Sequence, residues 1–134
     1  MIVRLMKKEE VDEVRSIIYK ALSRKASTEY KNSLSTFVVV ADNGIELCGA
    51  ATVYIHFDEL IAQKDYFISN LCVLPEFQRQ GIASEIVKYI EEKAKEEDIK
   101  YVYTLVPIKH EETSKLYAKL RYEIKNINCF RKEI

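Results

Sequence analysis

The stretch from residue 66 to residue 97 constrains the fold most, because its hydrophobic period changes partway along. Residues 66–73 are a run of aromatic, β-branched and apolar side chains, long enough for one buried strand. Pro75 cannot donate to a ladder, so the strand ends there. After Gly81 the apolar residues fall at Ile82, Ile86, Ile90 and Ala94, with Ala83 and Val87 beside them. That spacing is the stripe of an amphipathic helix running to about Glu97. Glu85, Lys88, Glu91, Glu92, Lys95 and Glu96 form its solvated face.

The chemistry lies in the join. A helix begins with unpaired backbone N–H groups and a partial positive charge. Gly81 lets backbone come close to a ligand, Ala83 and Ser84 are too small to block it, and Arg79 adds a charge. These features suit an anion, most naturally a phosphate or pyrophosphate. An ordinary strand-to-helix turn would also carry one glycine. The known phosphate loops, G-x-x-x-x-G-K-[ST] and G-x-G-x-x-G, are absent from a chain with only 3 glycines.

The flanking segments supply a sheet. Residues 1–5 alternate as a short strand, and Val11, Val14, Ile18, Ala21 and Leu22 give helical spacing over 8–22. Residues 23–35 are polar and mixed, with a helix start at Ser27-Thr28-Glu29 and Leu34 as its inward anchor. Residues 36–41 form a strand, Asp42-Asn43-Gly44 a hairpin turn, and 45–57 the returning strand, with a bulge expected at Gly49. Residues 58–65 read as a polar loop, 99–106 as a strand ended by Pro107, and 112–120 as a helix. Residues 122–124 and 127–131 read as a closing pair of strands, and the last of these could pair across a homodimer. The order predicts an α/β (α+β) fold, a mixed sheet flanked by helices, with a right-handed crossover joining two parallel strands across residues 66–106. Ligands of open α/β sheets bind outside the carboxyl ends of such strands.

At 134 residues the chain is expected to form a single domain, 1–134, with its own core. Its formal net charge is +0, so no global field attracts nucleic acid or a membrane surface. No apolar run approaches the ~20 residues of a membrane span. Residues 1–10 lack an apolar core followed by a cleavage site, so a cytoplasmic location is expected. Cys48, Cys72 and Cys129 are too scattered for a disulfide framework or a metal site, and His56 and His110 are far apart, so no metal is expected.

The hexapeptide Gln78-Arg79-Gln80-Gly81-Ile82-Ala83 matches the [RQ]-x-x-G-x-[GA] signature of the GNAT superfamily of N-acetyltransferases, and Leu71-Cys72-Val73-Leu74-Pro75-Glu76-Phe77 resembles that family's approach to it. The order of elements is similar to the GNAT fold over most of the chain. The resemblance implies that acetyl-CoA is the cosubstrate. Its pyrophosphate would be held by Gln78, Arg79, Gln80, Gly81, Ile82, Ala83 and Ser84, largely through backbone amides. Its pantetheine arm would lie along Leu71, Cys72 and Val73, in a gap where the two parallel strands splay apart.

The same resemblance implies a catalytic acid. The family's N-x-x-A-x-x-[LF]-Y-x-[KR]-L-G-[FY] segment aligns with residues 110–122, where Leu116-Tyr117, Lys119-Leu120 and Tyr122 match. Tyr117 would protonate the departing CoA sulfur, whereas read from periodicity alone it is a core aromatic on an amphipathic helix. His110, Thr113 and Arg121 depart from the family pattern. Phe67 and Leu105 stand about where some members carry a glutamate base, which leaves Asp58, Glu59, Glu111, Glu112, His56, His110 or a water to take the amine's proton. The expected activity is therefore transfer of an acetyl group to a primary amine of a small molecule or peptide, by direct attack in a ternary complex. A non-catalytic acyl-CoA-binding or interaction module on the same fold is the alternative.

Overall fold

The computed structural model describes residues 1–23 and 35–134. Strand β1 (Ile2–Leu5) leads through one 3-10 turn to helix α1 (Val11–Leu22), and β2 (Thr36–Asp42), β3 (Leu47–Asp58) and β4 (Gln63–Val73) form a meander. Helix α2 (Ile82–Glu96), β5 (Tyr101–Thr104) and α3 (Glu111–Lys119) follow. The sheet order is β1-β2-β3-β4-β5, antiparallel except for the parallel β4–β5 pair. This is the expected mixed sheet with helices on both faces. The helix start expected at Ser27-Thr28-Glu29, with Leu34, lies outside the described residues. Among the described residues, no helix is long and apolar enough to cross a membrane.

Period-2 alternation sorts the strands onto two faces. Val39, Ala51, Val53, Tyr66, Ile68 and Val102 face α2, whose stripe of Ile82, Ile86, Val87, Ile90 and Ala94 is buried against them. Each of those large aliphatic side chains removed from water contributes about 1.5–3 kcal/mol. Val38, Val40, Leu47, Ala50, Cys72 and Leu74 face the other way, onto Val14 and Ile17 of α1. Arg4 ties the outer elements together, donating to both carboxylate oxygens of Glu10 at 3.0 and 2.6 Å and to Asp42 at 2.9 Å.

Two irregularities interrupt the ladders. In β3, Ala41 pairs with Gly49 but Asp42 with Leu47, so Cys48 is the extra residue of a bulge. Glu13 of α1 accepts the Leu47 N–H at 3.0 Å. In β4, Cys72 pairs with Ala50 but Ser69 with Thr52, which places two residues, Asn70 and Leu71, opposite Ala51 alone. Asn70 takes φ +53°, a left-handed conformation that asparagine tolerates better than most residues. The extra residue reverses the alternation. Leu71 and Val73 join Tyr66 and Ile68 on the α2 side, and Cys72 and Leu74 turn toward α1.

Several boundaries differ from expectation. Ile45 belongs to the hairpin turn and is 90% exposed, because Asn43 Oδ1 accepts the N–H groups of both Ile45 and Glu46 and holds them out of the ladder. The polar loop expected at 58–65 shrinks to a turn at 59–62, since Asp58 already pairs with Gln63. β5 is limited to Tyr101–Thr104 because its pairing with β4 ends there. The closing strands at 122–124 and 127–131 are not formed, and Ile124, Ile127 and Phe130 are exposed. Alternation alone suggests those strands, and among the described residues no partner strand holds them.

Gly49 is required by space. A Cβ there would lie 2.8 Å from the Cys72 carbonyl oxygen, a backbone atom that cannot yield without moving β4. Gly49→Ala should therefore lower stability by about 1–3 kcal/mol, the range of overpacking. Gly44→Ala, with open space but φ +90°, should cost about 1–2 kcal/mol through strain at an exposed turn. Urea unfolding checks the magnitudes. Near-ultraviolet circular dichroism should change only for Gly49→Ala, because only that substitution displaces packed core.

Candidate active site

β4 and β5 begin as partners and then separate. Their register runs from Asp65↔Tyr101 to Ile68↔Thr104, while β4 continues to Val73. The Thr104 hydroxyl donates to the Ile68 carbonyl at 2.8 Å and closes the last rung. The bulge at Asn70 and Leu71 follows within three residues. A bulge bends its strand and sharpens its twist, so the end of β4 turns away from β5 and a fork opens between them.

Beyond the fork the chain makes a tight loop. Leu74 N–H donates to the Cys48 carbonyl at 2.8 Å, which pins the start of the loop to β3. Pro75–Phe77 forms one 3-10 turn. Gln78 then lies extended and folds its side chain back, with Nε2 donating to the Val73 carbonyl at 3.0 Å. Arg79 (φ +65°) and Gly81 (φ +81°) are both left-handed, a pattern that can gather successive amides into an anion-binding concavity. The first bond of α2 runs from Glu85 N–H to Gly81 O at 3.1 Å. The amides of Ile82, Ala83 and Ser84 therefore have no partner within the helix, and no side chain caps it. A Cβ on Gly81 would meet nothing within 4 Å, so its backbone conformation calls for glycine and the space beside it is open.

The structure brings most of the predicted residues to this fork. Leu71 and Val73 line its β4 side, while the side chain of Cys72 points away and rests its Sγ 3.7 Å from the Ala50 carbonyl. Burial pushes that thiol up to about 12, which makes it an inert core group. Ile82 is buried and offers only its amide. Arg79 and Gln80 are exposed. The Arg79 guanidinium stands 3.7 Å from Glu112, in the first turn of α3.

Tyr117 is also there. Its ring is 6% exposed in the α2-side core, packed edge-on against Tyr122 with centroids 5.0 Å apart. Burial pushes its phenol up to about 12, and the nearby Thr104 side chain opposes that rise by a smaller amount. Thr104 has already donated its proton to Ile68, and no hydrogen bond of normal geometry reaches the Tyr117 oxygen. The result is a neutral phenol, out of water, with an unspent donor beside the last rung. Burial, and then Glu91, raise the Tyr122 phenol as well.

Several residues of the site escaped the sequence reading. Asn70 builds the bulge, and the only sign of it was a turn-former inside an apolar run. Thr104 closes the fork, and nothing marks its role until the register is known. The face opposite α2 carries Tyr54, Phe67 and Tyr103 side by side, with Asp65 on the same face two residues before Phe67 along β4. Alternating aromatics in three separate segments were the available signal. No group of His, Cys, Asp and Glu able to hold a metal occurs among the described residues.

The sequence matches the profile of the acetyltransferase (GNAT) family over residues 4–122. No curated protein matches the chain. Among solved structures, an aminoglycoside acetyltransferase from an uncultured soil metagenomic sample superposes with a TM-score of 0.87 at 14% identity, over 99% of this chain and 95% of that one. The ribosomal-protein-alanine N-acetyltransferase of Brucella melitensis biovar Abortus 2308 gives 0.85 at 13% identity over 100% of both chains. A transcriptional regulator from Bacillus halodurans C-125 gives 0.83 at 14% identity over 99% of each. At these identities the likeness is one of fold.

Alkaline titration should expose the buried phenols. Tyr66 and Tyr117 both lie at about 12 because burial disfavours the phenolate, against ~10 in an unfolded chain. Between those values the unfolded chain gives up protons that the folded one keeps, so stability should fall as pH rises from about 10 to 12. Ultraviolet difference spectra should resolve a late-titrating class among the 9 tyrosines, and Tyr117→Phe should remove one member of it. A Tyr117 that ionises with the exposed residues would contradict the burial described.

Proposed function

This chain belongs to the acetyltransferase (GNAT) family, and we propose that it is an N-acetyltransferase that moves the acetyl group of acetyl-CoA to a primary amine by direct attack in a ternary complex. The observation that carries this reading is the convergence, at one fork, of three helix-start amides with no partner within the helix and one buried phenol with no hydrogen bond among the described residues. The residues fit the cosubstrate. The amides of Ile82, Ala83 and Ser84, the left-handed turn at Arg79–Gly81 and the Arg79 cation suit a diphosphate. The opened edge of β4 around Leu71 and Val73 suits an extended arm carrying amide groups. Bound acetyl-CoA would supply the acyl group as a thioester, already activated toward an amine.

The chain's own residues then have simple tasks. The main chain around Leu71 and Val73 fixes the direction of the arm. Gln78, through its bond to the Val73 carbonyl, keeps the loop folded onto the strand. Tyr117 holds a proton at its phenol oxygen, and a sulfur arriving beside Thr104 would satisfy that donor. The transfer forms a C–N bond and breaks a C–S bond, with one proton leaving the amine and one reaching the sulfur. Phe67 and Leu105 supply no base from their own positions, so the amine's proton passes to water or to a neighbouring acid, such as Glu112 beside Arg79. The two acetyltransferases of matching fold are named for aminoglycosides and for the alanine of a ribosomal protein. An amine-bearing small molecule or peptide is accordingly the acceptor.

Calorimetry with acetyl-CoA tests the loop. Gly81→Glu puts a carboxylate into the open space beside the amides, and affinity should fall at least about tenfold, equivalent to 1.4 kcal/mol. Gly81→Ala carries the same backbone strain without the charge, so it should lose much less affinity. Equal affinities for all three proteins would remove the loop from the site. In turnover, Tyr117→Phe should lower kcat more than it raises KM, as expected for a group needed in the transition state. Unchanged kcat and KM would return Tyr117 to a packing role.

A further inference from the structure

Among the described residues, α1 covers only part of the sheet face opposite α2, since it packs toward the Ala50 and Cys72 end of β3 and β4. Past that end a row of rings crosses three strands. Tyr54 stacks on Phe67 at 6.4 Å, and Phe67 meets Tyr103 at 5.1 Å. Tyr54 is 46% exposed, Tyr103 41% and Tyr101 58%, so the row is accessible. It lies one rung before the last β4–β5 rung, on the side of the fork away from Tyr117.

Asp65 stands on the same face, opposite His56 of β3 and Tyr101 of β5. It is half-buried, and its needs are incompletely met. Gln63 Nε2 donates to Oδ2 at 3.0 Å, and Oδ1 is enclosed with no hydrogen-bond partner. Among the described residues, no lysine, arginine or histidine forms an ion pair with it. The adjacent cation, Lys100, instead lies over the Tyr101 ring at 5.7 Å. A partly desolvated carboxylate with no cation is unfavourable, and a ligand's ammonium would relieve it. Aromatic faces attract the same kind of charge.

Three residues separate Asp65 from the last rung, which at about 3.3 Å per residue is about 10 Å. The geometry points to an extended diamine, charged at its far end, as the acceptor. One amino group reaches the fork, the chain between lies over Tyr54, Phe67 and Tyr103, and the second ammonium sits at Asp65. This inference rests on the acetyltransferase reading and narrows its acceptor. It explains why the face combines exposed aromatic rings with a single uncompensated acid. Rings alone would suit any apolar group, and the acid alone would suit any cation. A separation of about three residues along one strand asks for both in one molecule.

The test compares kcat/KM for diaminopropane, diaminohexane and hexylamine, using the full chain with acetyl-CoA, in the wild type, Asp65→Asn and Tyr103→Ala. Acetyl-CoA affinity is measured separately on each protein. Diaminohexane should exceed hexylamine by about tenfold or more, the scale of one desolvated charge pair, and diaminopropane should lose that advantage because it cannot span. Asp65→Asn should erase the preference while leaving hexylamine turnover and acetyl-CoA affinity unchanged. Tyr103→Ala, at an exposed ring, should weaken both six-carbon amines together. Equal use of hexylamine, or a preference that survives Asp65→Asn, overturns the inference and leaves the acetyltransferase reading standing. Should acetyl-CoA fail to bind, that reading falls by itself. Diaminohexane binding followed by NMR then decides the amine site. Binding lost in Asp65→Asn supports it, and no binding to the wild type overturns it.

Discussion

Two parallel strands can stay hydrogen-bonded only while their residues keep step, and β4 loses step with its neighbours at Asn70 and Leu71. On one side β3 absorbs the extra residue as a bulge. On the other side β5 ends its pairing at Thr104. The fork is what remains when one strand turns and the other cannot follow. Asn70 makes this affordable, because a β-branched residue at φ +53° would carry more strain than a short polar one. The same extra residue swaps the faces of the following side chains, so Val73 stays in the α2-side core and Cys72 enters the α1-side core. One local insertion thus opens the cleft and keeps both cores filled.

The loop after the fork is held from several directions. Leu74 is bonded to β3, Gln78 to Val73, and α2 is anchored by Ile82, Ile86 and Ile90 in the core. Amides at the start of such a helix cannot turn away when an anion is absent, so little reorganisation is needed when one arrives. Arg79, a non-glycine residue at φ +65°, carries local strain that this anchoring sustains, whereas Gly81 takes its left-handed conformation freely. Strain and unpaired donors gathered in one loop are characteristic of a site kept ready for a ligand.

The order of the central elements and the join at Gly81 are legible in the sequence because both are written locally. A change from period 2 to period 3.6 needs no knowledge of distant residues, and a glycine before an apolar stripe marks a helix start by itself. Tyr117 could be placed only by its likeness to a known segment, since periodicity makes it an ordinary core aromatic. The fork was less legible. Where β5 stops, and which residues of β4 face α2, are matters of register, and register is decided between strands far apart in sequence. The aromatic row shows the same limit, for Tyr54, Phe67 and Tyr103 are neighbours only after three strands align. Residues 122–131 show the opposite failure. Their alternation suggests a strand, yet alternation without a partner makes no ladder.

The loop at the start of α2 offers its donors from the main chain, and this has a consequence for how such a chain can diverge. A side-chain ligand set is lost with one substitution. An amide is present whichever residue occupies the position, proline excepted. The demands on sequence shrink to a left-handed position at Gly81, modest bulk at Ala83 and Ser84, and an apolar face below. Almost everything else can drift. Chains that agree at 13–14% of positions can then superpose with TM-scores of 0.83–0.87. In a molecule built this way, heredity preserves a backbone shape far longer than it preserves the letters that spell it.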